Sequence, residues 1–143
     1  MDIMFDTNAF DKVIANFDIV INSSRENQYY ITYVQKKELD KIPSIKQEKK
    51  DRLFEVIEEL NVKKTLSSSF ILNHTPLGEG KLGSGKVYNE LLNASKNNKE
   101  DAIIGDTSVN EGYTLVTNDD QLYNKMSSHD YKVLKFEDFL EQL

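Results

Sequence analysis

The sequence predicts an α/β domain of three α/β/α layers built around a parallel sheet of about five strands. Three observations lead there. Short apolar runs alternate with helical segments along the whole 143-residue chain. Those runs are continuously apolar, as strands covered on both faces are. The length suits one core, so residues 1–143 are expected to form a single domain.

Taken in order, "DIMF" (2–5) is the first strand, and a helical pattern follows through Phe10, Val13, Ile14 and Phe17. "YYITYV" (29–34), rich in β-branched and aromatic residues, is a second strand, with Tyr29 and Tyr30 serving core and sheet edge. It runs directly into a short helix, "QKKELDKI", stopped by Pro43. From Ser44 to Leu60, residues Ile45, Leu53, Val56, Ile57 and Leu60 recur at helical spacing. "SSFIL" (68–72) is expected as the third strand, and "NHTPLGEGKLGSG" as a loop with four glycines in thirteen residues. Val87, Leu91 and Leu92 mark a helix, and the next packs Ala102, Ile103 and Gly105 inward. "YTLVT" (113–117), a short helix, "YKVL" (131–134) and a last helix "FEDFLEQL" complete the pattern.

Composition narrows the chemistry. With no cysteine there is no disulfide, thiolate zinc site or cysteine nucleophile, and only two histidines, His74 and His129, both expected in exposed loops. Carboxylates and hydroxyls remain. No stretch approaches the ~20 apolar residues that cross a bilayer. "MDIMFDTNAF" carries acids where a signal peptide has lysines, so a cytoplasmic location without membrane contact is expected. Eighteen basic against 24 acidic residues give a net charge of −6, which disfavours coating of nucleic acid by bulk positive charge. Locally, "KKELDKIPSIKQEKKDR" (36–52) gathers lysines into either a basic face or a solvated helix of mixed charge.

In a parallel sheet, ligands bind beyond the carboxyl ends of the strands. Asp6 ends the first strand there, Glu38 lies in the first turn of the helix after the second, and "TNDD" puts Asp119 and Asp120 after the fourth. Asp101 sits in the first turn of the helix feeding that fourth strand. Each has a plain structural use: Asp101 in an Asn98-led capping box, Asp119 and Asp120 at a positive helix end, Asp6 in an Asx-turn, Glu38 paired with a nearby lysine. Together, however, four acids on one side repel one another unless a cation compensates. Oxygen ligands without His or Cys select Mg²⁺ or Mn²⁺, and such ions act on phosphate esters, singly or in pairs.

These residues carry a resemblance. "MDIMFDTNAF" resembles the opening of PIN-domain nucleases, "ITYVQKKEL" their middle element and "EDAIIGDTSVNEGYTLVTNDDQL" their second hallmark, an Asp-led helix, Gly, strand and Thr-x-Asp. The length is similar to that of VapC-type toxin ribonucleases. The resemblance implies a five-stranded parallel sheet and Mg²⁺- or Mn²⁺-dependent hydrolysis of RNA. It implies Asp6, Glu38, Asp101 and Asp119 as the acidic quartet, with Asp6, Asp101 and Asp119 on the metal and Asn8 and Thr117 in support. Asp119 is preferred to Asp120 because it falls two residues after Thr117. Asp106 departs from the family pattern and, about 140° around the helix from Asp101, is expected to point elsewhere. An antitoxin partner and a homodimer are further implications. The rival function is a catalytically inactive PIN-fold module that binds RNA or protein.

"GKLGSGKV" (80–87) approaches a P-loop, and "GEGKLG" (78–83) a dinucleotide fingerprint, but Val87 stands where the P-loop needs a hydroxyl. A flexible loop whose Lys81 and Lys86 contact substrate phosphate is the intermediate reading.

Overall fold

Ile3, Met4 and Phe5 are all 0% exposed, so the first strand is covered on both faces, as its unbroken apolar run requires. The computed structural model describes residues 1–23, 26–67, 78, 80, 85–93 and 99–143. Strand β1 (Asp2–Phe5) lies at the centre of a five-stranded, wholly parallel sheet. Its neighbours are β2 (Gln28–Ile31) and β4 (Thr114–Thr117), with β3 (Lys63–Lys64) and β5 (Val133–Lys135) at the edges, in the order β3-β2-β1-β4-β5. Met4 is registered with Tyr30 on one side and Leu115 on the other.

Side chains alternate across this sheet and so define two cores. Ile3, Phe5, Tyr29, Ile31 and Val116 face one layer. That layer comprises α1 (Ala9–Ala15), α2 (Phe17–Asn22), α4 (Gln47–Glu59) and α8 (Phe136–Glu141). Met4, Leu115 and Tyr113 face the other, made by α5 (Lys86–Asn93), α6 (Lys99–Glu111) and α7 (Asp120–Ser128). Helix α3 (Tyr33–Asp40) crosses the carboxyl end of the sheet, sending Tyr33 and Val34 to the second core and Leu39 to the first. Phe5 stacks on Tyr29 at 5.2 Å and meets Phe139 edge-on at 5.6 Å. Burial of such a ring contributes roughly 1.5–3 kcal/mol.

In α6, Ala102 to Ser108 are buried without interruption, so it is a central helix and not an amphipathic one. Its buried hydroxyls are satisfied internally: Thr107 donates to the Ile103 carbonyl at 2.8 Å and Ser108 to Tyr113 at 3.3 Å. Gly112 ends the helix at φ +77°, the left-handed region that glycine enters without a Cβ clash.

Several expectations are corrected. Tyr33 and Val34 are helical, because Thr32 accepts from Val34 N at 3.1 Å and closes a capping box with Gln35. Glu38 therefore lies in the second turn of α3. This helix ends at Asp40, and Pro43 instead precedes a 3₁₀ turn, Ser44–Lys46. Ile45, assigned to a helical apolar face, sits on that turn and is 91% exposed. The expected strand at 68–72 lies outside the described residues. The edge strand that is seen, Lys63–Lys64, is two exposed lysines, recruited by the ladder of β2 without any apolar run of its own. Among the described residues no helix is long and apolar enough to cross a membrane.

Candidate active site

Strand order reverses at β1: the chain moves outward through β2 and β3, then returns to place β4 on the other side. The crevice at the carboxyl ends of β1 and β4 is thus the topological switch point, where open α/β sheets bind ligands. Asp6 emerges from β1 at that point and Thr117 closes β4 beside it.

Asp6 is 2% exposed. Its Oδ1 accepts from Thr7 N at 2.8 Å and its Oδ2 from the Thr117 hydroxyl at 2.9 Å. Burial nevertheless pushes its pKa up to about 6, outweighing those two hydrogen bonds, with Glu38 and Asp119 adding repulsion. Asp101, brought in by the first turn of α6, is also pushed up to about 6, first by burial and then by Asp6 and Asp119. Lys125 of α7 partly offsets this. Glu38 is raised by burial and by Asp101, and lowered by Thr7 and Lys41. The four acids therefore form one repelling group drawn from four separate segments.

Asp119 is distinguished from Asp120 by its bonds. Asp119 N-caps α7, its Oδ1 accepting from Gln121 N at 2.8 Å and Leu122 N at 3.3 Å, and its own N–H donates to Thr117 Oγ1 at 3.0 Å. Asp120 is turned outward to Lys135 at 3.1 Å. Asp106 likewise points away: it is buried and accepts from Asn110 Nδ2 at 2.8 Å.

Glu38 divides two clefts. One, between α3 and α6, has a volume of about 210 Å³ and is lined by Tyr33, Lys37, Lys41, Glu100 and Asp101 together with Glu38. The other runs between α1, α3 and α4, where Thr7, Asn8 and Lys49 join Glu38. Lysines of the charge-rich segment thus flank the acids. Asn8 is exposed at the N-cap position of α1 and makes no side-chain cap. Lys86 is exposed at the start of α5, whereas Lys81 and His74 lie outside the described residues.

Whether this donor set suits a cation is a matter of its chemistry. Every donor is an oxygen, which matches Mg²⁺ or Mn²⁺ and not zinc. Thr7 Oγ1 is buried beside Glu38 and favours its charged form. Burial and mutual repulsion raise these carboxyls, and a bound cation would relieve the repulsion. The fit is electrostatic: among the described residues, no three Asp, Glu or His side chains already stand in ligating geometry.

Two participants escape sequence reasoning. Thr7 was passed over because a hydroxyl between Asp6 and Asn8 reads as a turn residue. Gln35 reads as an exposed helical residue, yet it is 0% exposed and donates to the Phe5 carbonyl. The one local signal was the Thr-x-x-Gln spacing of a capping box.

No family model and no curated protein matches the sequence. Solved structures do match. PAE2754 from Pyrobaculum aerophilum aligns over 99% of this chain and 97% of its own, with TM-score 0.62 and 17% identity. The PilT N-terminus domain protein SSO1118 from Sulfolobus solfataricus aligns over 99% and 92%, with TM-score 0.56 and 15% identity. VapBC2 from Rickettsia felis, solved bound to a DNA fragment from their promoter, aligns over 94% and 98%, with TM-score 0.59 and 16% identity. At these identities the likeness establishes the fold.

Proposed function

We propose that this chain, with its PilT N-terminus (PIN) fold, is a Mg²⁺- or Mn²⁺-dependent endoribonuclease whose acids are Asp6, Glu38, Asp101 and Asp119. One observation carries the reading: four acids from distant segments repel one another at the switch point of the sheet, and two are pushed up to about 6. Such repulsion costs stability and has no use in a scaffold. Asp6, Asp101 and Asp119 would hold the cation, which when bound supplies charge for phosphodiester hydrolysis. Thr117 fixes the rotamer of Asp6 through its hydroxyl. Glu38, open to both clefts, would orient the attacking water and take its proton. Lys37 and Lys41, which line the first cleft, would contact phosphates beside the scissile bond, and Lys49 in the second cleft would do so on leaving its ion pair with Asp11.

The VapBC2 neighbour supports extending the reading to a toxin restrained by an antitoxin. The rival, an inactive PIN-fold module binding RNA or protein, is favoured by the open spacing of the acids. Incubating the protein with a mixed-sequence RNA and Mn²⁺ separates them. The nuclease reading expects internal cleavage that EDTA and Asp101→Asn each abolish. Binding without cleavage, or cleavage that survives Asp101→Asn, would overturn it.

A further inference from the structure

The carboxyl end of the sheet contains a polar arrangement that ordinary strand pairing does not require. Asp6 donates its N–H to Val116 O at 3.0 Å, on the β4 side. Phe5, one residue earlier, therefore directs its carbonyl toward β2. The N–H positioned to complete a direct rung belongs to Thr32. That N–H goes instead to Gln35 Oε1 at 2.9 Å, and Gln35 Nε2 donates to Phe5 O at 3.2 Å. The Thr32 hydroxyl also donates to Gln35 Oε1. A fully buried amide is thus inserted between the two strands as a spacer.

Burying an amide is costly unless all its groups are paired, and a direct rung would have needed no amide at all. The consequence of the insertion is geometric. Phe5 immediately precedes Asp6, and Gln35 lies one helical turn before Glu38. The amide therefore links the two backbone segments that present these two acids. We infer that Gln35 is a positioning residue for the acid cup, its span setting the separation of Glu38 from Asp6. The inference rests on the metal-dependent reading above. A change of spacing would act on the bound cation, since groups supporting metal ligands commonly tune affinity 10- to 100-fold.

Two variants test it. Gln35→Met keeps the volume and removes every hydrogen bond; Gln35→Asn keeps an amide too short to reach both Thr32 and Phe5. Mn²⁺ affinity is read from the concentration dependence of the thermal midpoint. Leu60→Ala serves as a destabilised control, since Leu60 is buried just after α4, where the chain returns to the opposite end of the sheet. The Mn²⁺ dissociation constant is expected to rise about tenfold or more in both Gln35 variants. In Leu60→Ala it should stay at the wild-type value although the metal-free midpoint falls. Wild-type affinity in the Gln35 variants, whatever their metal-free midpoint, would overturn the inference alone. A wild-type protein indifferent to Mn²⁺ would overturn the metal reading with it. If neither variant folds, the wild-type side-chain amide signals of Gln35 in ¹⁵N spectra decide. They should move along a Mg²⁺ titration together with the other responding signals, and unmoved signals would refute the role.

Discussion

The Thr117 hydroxyl donates to Asp6 Oδ2 at 2.9 Å, joining side chains 111 positions apart. Thr117 Oγ1 in turn accepts from Asp119 N at 3.0 Å. A single hydroxyl thus orders acids from both strands at the switch point, and Thr117→Val, nearly isosteric, removes both bonds. It should weaken Mn²⁺ binding roughly tenfold, because Asp6 loses a hydrogen bond that favours its charged form. The orphaned Asp119 N–H adds a stability loss of about 1–3 kcal/mol. Isothermal titration and urea unfolding read the two effects separately, and unchanged affinity would remove Thr117 from the site.

Asp101 gives a pH prediction whose sign can be worked out. Its folded pKa, about 6, lies above the ordinary 3.8, so between these values the native state binds more protons than the unfolded one. Metal-free stability therefore falls as pH rises through that window, and the cost is fully present above it. Asp101→Asn should raise the metal-free unfolding free energy at pH 7.5 by on the order of 1–2 kcal/mol after allowance for solvent screening. This gain should fade toward pH 4, where the wild-type group is protonated. The same variant should lose the Mn²⁺-induced rise in midpoint. A metal-free gain independent of pH would mean that the charge of Asp101 is not the cause.

Asp119 and Asp120 should behave differently despite being neighbours. Asp119→Ala loses the N-cap of α7, at about 1 kcal/mol, and the Mn²⁺ response with it. Asp120→Ala loses only an exposed ion pair with Lys135 and should keep both stability and Mn²⁺ response. Thermal midpoints with and without Mn²⁺ suffice, and the reverse pattern would move the ligand to Asp120.

Gly105 is favoured by close packing and not by backbone conformation. A Cβ there would meet Leu91 Cδ1 at 2.4 Å and Met126 Sδ at 3.2 Å, where α5 and α7 close on α6. Gly105→Ala sets an overpacking cost of about 1–3 kcal/mol against the ~1 kcal/mol that alanine gains over glycine inside a helix, so a net loss of up to about 2 kcal/mol is expected in urea unfolding. Leu91→Ala should relieve part of that cost in the double variant, since the two sites are in direct contact.

The strands β1 and β4 and the helical character of α1, α5 and α6 were legible because they rest on local patterns. A continuous apolar run and a helical period are both properties of neighbouring residues. The start of α3 was misplaced because Tyr33 and Val34 have strand propensity, and the capping box of Thr32 and Gln35 overrode it. Propensity is a weak preference, and buried hydrogen bonds displace it. Ile45 fitted a helical spacing, but a 3₁₀ turn in place of the first helical turn rotated it into solvent. Lys63–Lys64 carries no strand signal, because its pairing comes entirely from the exposed ladder of Ile31, which accepts from Thr65 N at 2.8 Å.

By itself the sequence determined which residues are apolar, which are oxygen donors, and where strands exchange with helices, all of which depend on short-range order. Tertiary structure alone decided that Asp6, Glu38, Asp101 and Asp119 share one field, that Asp120 leaves it, and that a buried amide stands between Thr32 and Phe5. Those outcomes depend on strand order and register, and contacts between residues 30 to 111 positions apart exist only once the sheet has closed.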